Sequence, residues 1–355
     1  MVSGVGMSVI KEHIGALSAY KPPLEGRNPG VYTLLDFNER TVPISASIKQ
    51  ALHQYIDSDQ LQMYPAYGDI VERLADYAGV QSDQLMITNG SDQGIDLIFR
   101  AVAAPGSEAI IPGPSFAMYT QCAGVEGMVI KEPLYTKEGG YPLDEVLRSI
   151  TPLTRLIVVS NPNNPCGTLV DNDVIVTIAK AAPAAAILVD ECYFEYSSCS
   201  IVNRLAELPN LFITRTFSKT WGMPSLRFGY VMSSVDNIRS LCNIRGPYDI
   251  NQMAVVAANA ALDSPDEVQS YVAEVMNRAK PQLEQWLTSA GIEFWSSGAN
   301  YLWCFPPNPV ELAQALQKQG FLVRPKAYKD DLGLRVTVGT EEQMQRLIQV
   351  WEGLR

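Results

Sequence analysis

Histidine is almost absent from this sequence: His13 and His53 are the only two in 355 residues. A histidine-based metal site or a Ser-His-Asp triad is therefore not expected. Cysteine is sparse as well. Cys122, Cys166, Cys192, Cys199, Cys242 and Cys304 form no C-x-x-C pair and no zinc spacing. They read as reduced packing thiols of a cytosolic protein. No apolar run reaches membrane-spanning length. The first ten residues lack a cationic stretch ahead of a long apolar one, so no signal peptide is expected. Positive charge is in deficit, with 27 Lys and Arg against 38 Asp and Glu, a formal net charge of −11. That disfavours nucleic acid or an anionic membrane as a general partner, while leaving room for a local basic pocket. Repeats and low-complexity linkers are missing too. A cytoplasmic protein working on small molecules is the expectation.

What is present is a large hydrophobic share, 47 %, with only 18 % charged residues. A sizeable core follows. At about 150 residues per domain the length suggests two domains. The segment through Tyr32 is rich in Gly and Pro (Lys21-Pro22-Pro23, Asn28-Pro29-Gly30) and reads as an extended arm, residues 1–32. Short apolar runs follow at Leu85–Thr88, Ala109–Ile111, Met128–Ile130, Leu156–Ser160, Ile187–Asp190, Phe212–Thr216 and Gly229–Met232. Helical patterns fall between them, as at Gln93–Val102 and Val174–Ala181. This alternation predicts an α/β fold with a mostly parallel seven-stranded sheet covered on both faces, over residues 33–245. Beyond it, long helical stretches (Asn251–Leu262, Asp266–Ala290) precede short strands and a terminal helix. Residues 246–355 are expected to form a smaller α+β domain, with the arm packed against it.

Four loops follow predicted strands, where parallel sheets bind ligands. Asn89-Gly90-Ser91-Asp92-Gln93-Gly94 opens a helix and offers free N–H groups to an anion, though by itself it is an ordinary capped start. Ser160-Asn161-Pro162-Asn163-Asn164-Pro165-Cys166-Gly167 is a tight turn that can aim the Asn164 amide at a phenolic oxygen. In Asp190-Glu191-Cys192-Tyr193 a carboxylate at a strand end can pair with a protonated pyridine nitrogen, with Tyr193 near the ring oxygen. In Ser218-Lys219 through Arg227, Lys219 can form a Schiff base, and its freed amine can move a proton. Ser218 and Arg227 suit a phosphate. Each loop alone has a bland explanation: a cap, a turn, a solvated lysine. Together they supply every group that pyridoxal phosphate (PLP) needs.

The order Gly-Ser-Asp, Asn-Pro-Asn-Asn-Pro-x-Gly, Asp-Glu-x-Tyr and Ser-Lys-x7-Arg-x-Gly resembles the class I/II aminotransferases of fold type I, over almost the whole chain. The outer features are most similar to the histidinol-phosphate aminotransferase family. They include the arm Leu17 to Arg27, Asp36-Phe37-Asn38-Glu39, Met63-Tyr64-Pro65 and Pro112 to Tyr119. The resemblance implies a PLP enzyme running a ping-pong exchange between histidinol phosphate and an oxo acid, 2-oxoglutarate. It implies Lys219, Asp190 and Tyr193 as catalytic residues. Ser91, Asp92, Gln93, Phe116, Asn164, Ser218 and Arg227 would join them around the cofactor. It implies a homodimer in which Tyr64 reaches the partner's phosphate site, and substrate contacts from Tyr20, Asn38, Arg324 and Arg335. Arg40, Gln93, Phe116 and Cys166 depart from the family's usual residues. The rivals are a threonine-phosphate decarboxylase, an aromatic amino-acid aminotransferase and, from another class, a non-catalytic PLP-fold binding protein.

Overall fold

The computed structural model describes residues 9–138, 140–329 and 331–355. The first eight residues of the expected arm, and with them most of the segment on which the signal-peptide expectation rests, lie outside the described residues. Small-domain strands are β1 (Thr33–Leu35), β9 (Glu293–Phe294), β10 (Tyr301–Phe305), β11 (Phe321–Tyr328) and β12 (Asp331–Thr337). The large sheet holds β2 (Leu85–Asn89), β3 (Glu108–Ile110), β4 (Val129–Lys131), β5 (Thr154–Ser160), β6 (Ala186–Asp190), β7 (Leu211–Thr216) and β8 (Phe228–Ser233). All seven apolar runs are thus strands, with ends displaced by a residue or two. Their order is β2-β8-β7-β6-β5-β3-β4. Every pair is parallel except those of β8, which runs antiparallel to both β2 and β7.

Strands β6 and β7 are buried at every position. Helices cover both faces, which is why these strands show continuous apolar runs and no alternation. The register matters for function. Ser160 pairs with Asp190, and Asp190 with Thr214. Three polar side chains therefore lie abreast near the carboxyl ends of β5, β6 and β7, the edge where such sheets bind ligands.

The second sheet has the order β1-β11-β12-β10-β9. Packing divides the chain elsewhere than at residues 32 and 245. Strand β1 pairs in parallel with β11, so Thr33–Leu35 belongs to the small sheet. The helix Gln252–Leu262, capped by the Asn251 side chain at 2.8 Å from the Ala254 N–H, buries Ala254, Val255 and Ala258 in the large core beside Ile70 and Leu74. The small core begins further on, with Tyr271, Val275 and Leu283. The stretch expected as one helix over Asp266–Ala290 is interrupted by a π-turn at Val275–Ala279. Pro281 has no N–H to offer the turn before it, and the ladder loosens there. Among the described residues no helix is long and apolar enough to cross a membrane.

Candidate active site

Asp190, at the end of β6, is 4 % exposed. Three donors converge on its carboxylate: Tyr119 Oη at 2.5 Å, Cys192 Sγ at 2.7 Å and Thr214 Oγ1 at 2.9 Å. Burial pushes its pKa above the ordinary aspartate value, and the three donors oppose that shift. Lys219 lies in the loop after β7, with Nζ donating to the Phe37 carbonyl at 3.1 Å. Burial lowers its pKa, and the nearby Arg335 guanidinium lowers it further. A lysine so placed keeps more of its neutral, nucleophilic form than a solvated one.

The anion end is built by close backbone approach. Helix Gly90–Val102 starts at Gly90, whose φ of +70° suits a residue without Cβ. A Cβ on Gly229 would stand 2.6 Å from the Ser91 backbone nitrogen, so only glycine lets β8 lie against this helix start. Arg227 donates from Nη2 to Asp92 Oδ2 at 2.7 Å and from Nη1 to the Pro224 carbonyl at 3.1 Å. Thr216 Oγ1 and Ser218 Oγ are 3.0 Å apart. Helix N–H groups, two hydroxyls and a guanidinium form the donor set that a phosphate takes.

A cavity of about 580 Å³ joins these parts. Ser91, Asp92, Ser218 and Arg227 line one part of its wall, and Asp190, Asn164, Tyr193 and Lys219 another. Phe116 and Tyr20 also line it. An amine, a buried carboxylate, an amide and a phenol, an aromatic face and an anion cradle are all present, so the residues fit PLP. Lys219 would carry it, Arg227 and Ser218 would hold its phosphate, and Asp190 would face its ring nitrogen.

Several expected residues stand elsewhere. Gln93 is turned away: it donates to Asp249 at 2.7 Å and accepts from the Asn89 N–H at 2.7 Å. One residue along a helix is a turn of about 100°, which carries Gln93 off the face that presents Asp92. Asn38 is a supporting residue, 1 % exposed, donating to the Tyr193 hydroxyl at 3.0 Å. Arg335 stands behind Asn164. Its Nη1 donates to Asn164 Oδ1 at 2.6 Å and Nη2 to the Asp36 carbonyl at 2.5 Å, while Nε has no partner. Arg324 sits 5.4 Å from the Phe37 ring centroid. Tyr64 is 77 % exposed, stacked on Tyr248 at 4.4 Å, and does not line this chain's cavity. Among the departures, Cys166 is fully buried beside Tyr135, Trp295 and Trp303. Burial pushes its pKa up to about 12, which leaves an inert thiol. Arg40 stacks over Tyr271 at 4.8 Å and donates from Nη1 to the Thr220 carbonyl at 3.3 Å, in the lysine loop.

Residue-by-residue reasoning missed Tyr119, Cys192 and Thr214. Helical spacing carried a signal for the first, since Tyr119 follows Phe116 by three residues and meets it edge-on at 5.8 Å. Thr214 lies two residues before Thr216 on the same strand face. Replacing Tyr119 by phenylalanine keeps that packing but removes the shortest of the three bonds to Asp190. A bond to a charged group is worth about 1.5–3 kcal/mol. Steady-state kinetics should show kcat reduced about 10-fold with the fold intact.

Residues 30–350 match the family described as aminotransferase class I and II. Histidinol-phosphate aminotransferase 2 of Pseudomonas aeruginosa is 34 % identical over 345 residues, covering 91 % of this chain and 89 % of that protein. The histidinol-phosphate aminotransferase of Bacillus subtilis (strain 168) is 31 % identical over 360 residues, covering 96 % and 98 %. The solved histidinol-phosphate aminotransferase of Sinorhizobium meliloti, in complex with PLP, matches with a TM-score of 0.84 at 22 % identity, over 99 % of this chain and 100 % of that one, which speaks for the fold. With the lysine, the carboxylate and the phosphate cradle arranged as above, the chain belongs to the class I and II aminotransferases and is a PLP-dependent enzyme.

Proposed function

We propose that this enzyme transfers the amino group of histidinol phosphate to 2-oxoglutarate, a step of histidine biosynthesis, in the cytoplasm and as a homodimer. The observation that carries the substrate class is a pair of cations facing each other across a strand ladder. Arg324 and Arg335 are register partners in β11 and β12, with Lys326 two residues along. Burial lowers the pKa of Arg335 and of Lys326; the other cations act on both in the same direction. Like charges directly opposite in a sheet repel. A bound anion would relieve that repulsion, and Arg335 keeps one buried donor, Nε, without a partner. A guanidinium accepts a phosphate monoester and a carboxylate equally, as two alternating substrates require. The names and coverage of the two curated relatives support the same choice.

Bound PLP supplies an electron sink for negative charge at the substrate carbon. Lys219 Nζ would take the proton from that carbon and deliver it to the cofactor carbon on the other side of the shared nitrogen. Its lowered pKa favours the neutral form more than in a solvated lysine, and the Phe37 carbonyl holds it in place. Asp190, fixed by three donors, keeps a negative group at the ring end. Tyr193, steadied by Asn38, and Asn164, steadied by Arg335, serve the ring oxygen. The oxo acid uses the same groups in the second half of a ping-pong cycle.

The dimer proposal rests on an exposed apolar area. Leu61, Met63 and Tyr64 are all exposed, and Tyr64 stacks on exposed Tyr248. Such a patch suits contact with a second copy, and in this reading Tyr64 enters that copy's phosphate site.

The test is turnover by the PLP-loaded enzyme. Histidinol phosphate should be consumed beyond one equivalent per active site only when 2-oxoglutarate is supplied. Carbon dioxide release from threonine phosphate without an oxo acid, or faster turnover of aromatic amino acids, would overturn the assignment. Arg335→Met should lower kcat/KM for histidinol phosphate about 100-fold, from loss of a buried charge-assisted contact of about 3 kcal/mol. The melting temperature should not fall, because an incompletely satisfied buried cation is removed.

A further inference from the structure

A second cavity, of about 450 Å³, lies behind the lysine loop, and the reaction described above makes no use of it. Its wall includes Tyr77, Phe194, Tyr196 and Trp221, with Glu195 among them. Glu195 is two residues beyond Tyr193, and Trp221 two beyond Lys219. Three neutral groups donate to the Glu195 carboxylate: Trp221 Nε1 at 2.9 Å, Thr220 Oγ1 at 3.1 Å and Tyr77 Oη at 3.2 Å. A backbone N–H bears on the carboxylate as well, so its close hydrogen-bond partners are all neutral. Among the described residues no cation forms an ion pair with Glu195. Arg215, whose charge acts on it, is committed to Glu191 at 2.8 Å. Tyr196 is 5 % exposed, lines the cavity, and its hydroxyl has no hydrogen-bond partner within normal geometry.

We infer that this cavity is a binding site for a small organic ammonium ion, held by the Glu195 carboxylate inside a box of four aromatic rings. Aromatic faces attract cations electrostatically, and rings arranged as a cage are the usual receptor for quaternary ammonium groups. The rings are held in advance. Phe217 stacks on Trp221 at 4.9 Å, Tyr77 meets Trp221 edge-on at 5.7 Å, and the Arg215 guanidinium lies 3.6 Å from the Phe194 ring centroid. A preformed box costs little ordering when the ligand enters. The cavity volume falls in the range of small-molecule sites. A buried carboxylate with no ion pair is costly to keep without a counter-charge, and a bound ammonium supplies one. Glu195 also bonds Thr220, the residue after Lys219, so occupancy is felt one residue from the catalytic amine.

The probe is benzyltrimethylammonium chloride, whose nitrogen cannot condense with the cofactor. Calorimetric titration into the PLP-loaded enzyme at matched ionic strength should show one saturable site per chain, with Kd of roughly 0.1–1 mM. Neutral benzyl alcohol should show none. Glu195→Gln should weaken the probe by about 10-fold or more. Because that variant also touches the lysine loop, Ala273→Trp provides an independent arm. Ala273 is an exposed helix residue on the cavity wall, and a tryptophan there blocks the space while leaving transaminase activity unchanged. Absence of saturable heat overturns the site. Binding that survives Ala273→Trp overturns its location, and binding equal in Glu195→Gln overturns recognition by the carboxylate.

Discussion

Lys219→Ala should abolish turnover, by about 10⁴-fold or more, and should remove the visible absorbance of lysine-bound cofactor. Two roles are lost together, the covalent anchor and the proton carrier. The Nζ atom is buried on the Phe37 carbonyl, and burial together with Arg335 holds its pKa below that of a free lysine. The same shift predicts a stability effect that separates chemistry from misfolding. Between the lowered pKa and the ordinary lysine value the unfolded chain binds more protons than the native apoenzyme. Apoenzyme stability therefore rises with pH across that window, and is lost as pH falls through the lowered value. Alanine removes the slope, so the apo variant should be at least as stable as the wild type at neutral pH. Thermal unfolding of the two apoproteins across pH checks this. An unchanged visible spectrum in the variant would sink the assignment of Lys219.

Asp190→Asn should reduce kcat by about 10³-fold while keeping the shape of the site. The amide is isosteric but carries no charge to hold a proton on a ring nitrogen. Here the pKa is raised by burial, so the sign reverses. Its contribution to apoenzyme stability is present below the ordinary aspartate pKa and fades as pH rises through the raised value. The asparagine variant should therefore melt higher than wild type as apoprotein near neutral pH, and should gain less from added PLP. Calorimetry with and without cofactor measures both. An asparagine variant with wild-type kcat would refute the role given to Asp190.

The chemistry of the cofactor site was legible because it is local. Each of the four loops follows an apolar run, and such a run buried on both faces is a strand whatever lies around it. Lys219, Asp190, Asn164 and Arg227 could then be placed at strand ends from order alone, and the family follows from their order. The large sheet, its seven strands and the PLP dependence were all within reach of the linear sequence.

Partners of those residues were not. Whether Asp190 receives two donors or three depends on the register that sets it between Ser160 and Thr214, and on a helix that brings in Tyr119 from 71 positions away. Gln93 has a plausible place in its motif, yet Asp249, 156 residues distant, claims its amide. Arg335 meets the Asp36 carbonyl across 299 residues. Strand β1 joins a sheet whose other members lie more than 250 residues further on, and the helix after Asn251 returns to the core that the chain had seemed to leave. The second cavity, framed by Tyr77, Glu195, Trp221 and the helix at Ala273, leaves no contiguous motif at all. The sequence by itself determined which residues carry the chemistry and the strands that bear them, because backbone propensity and burial pattern act over a few residues. Tertiary structure alone decided which side chains support them, which pKa values move and where the unused cavity opens, because those depend on packing between segments far apart in the chain.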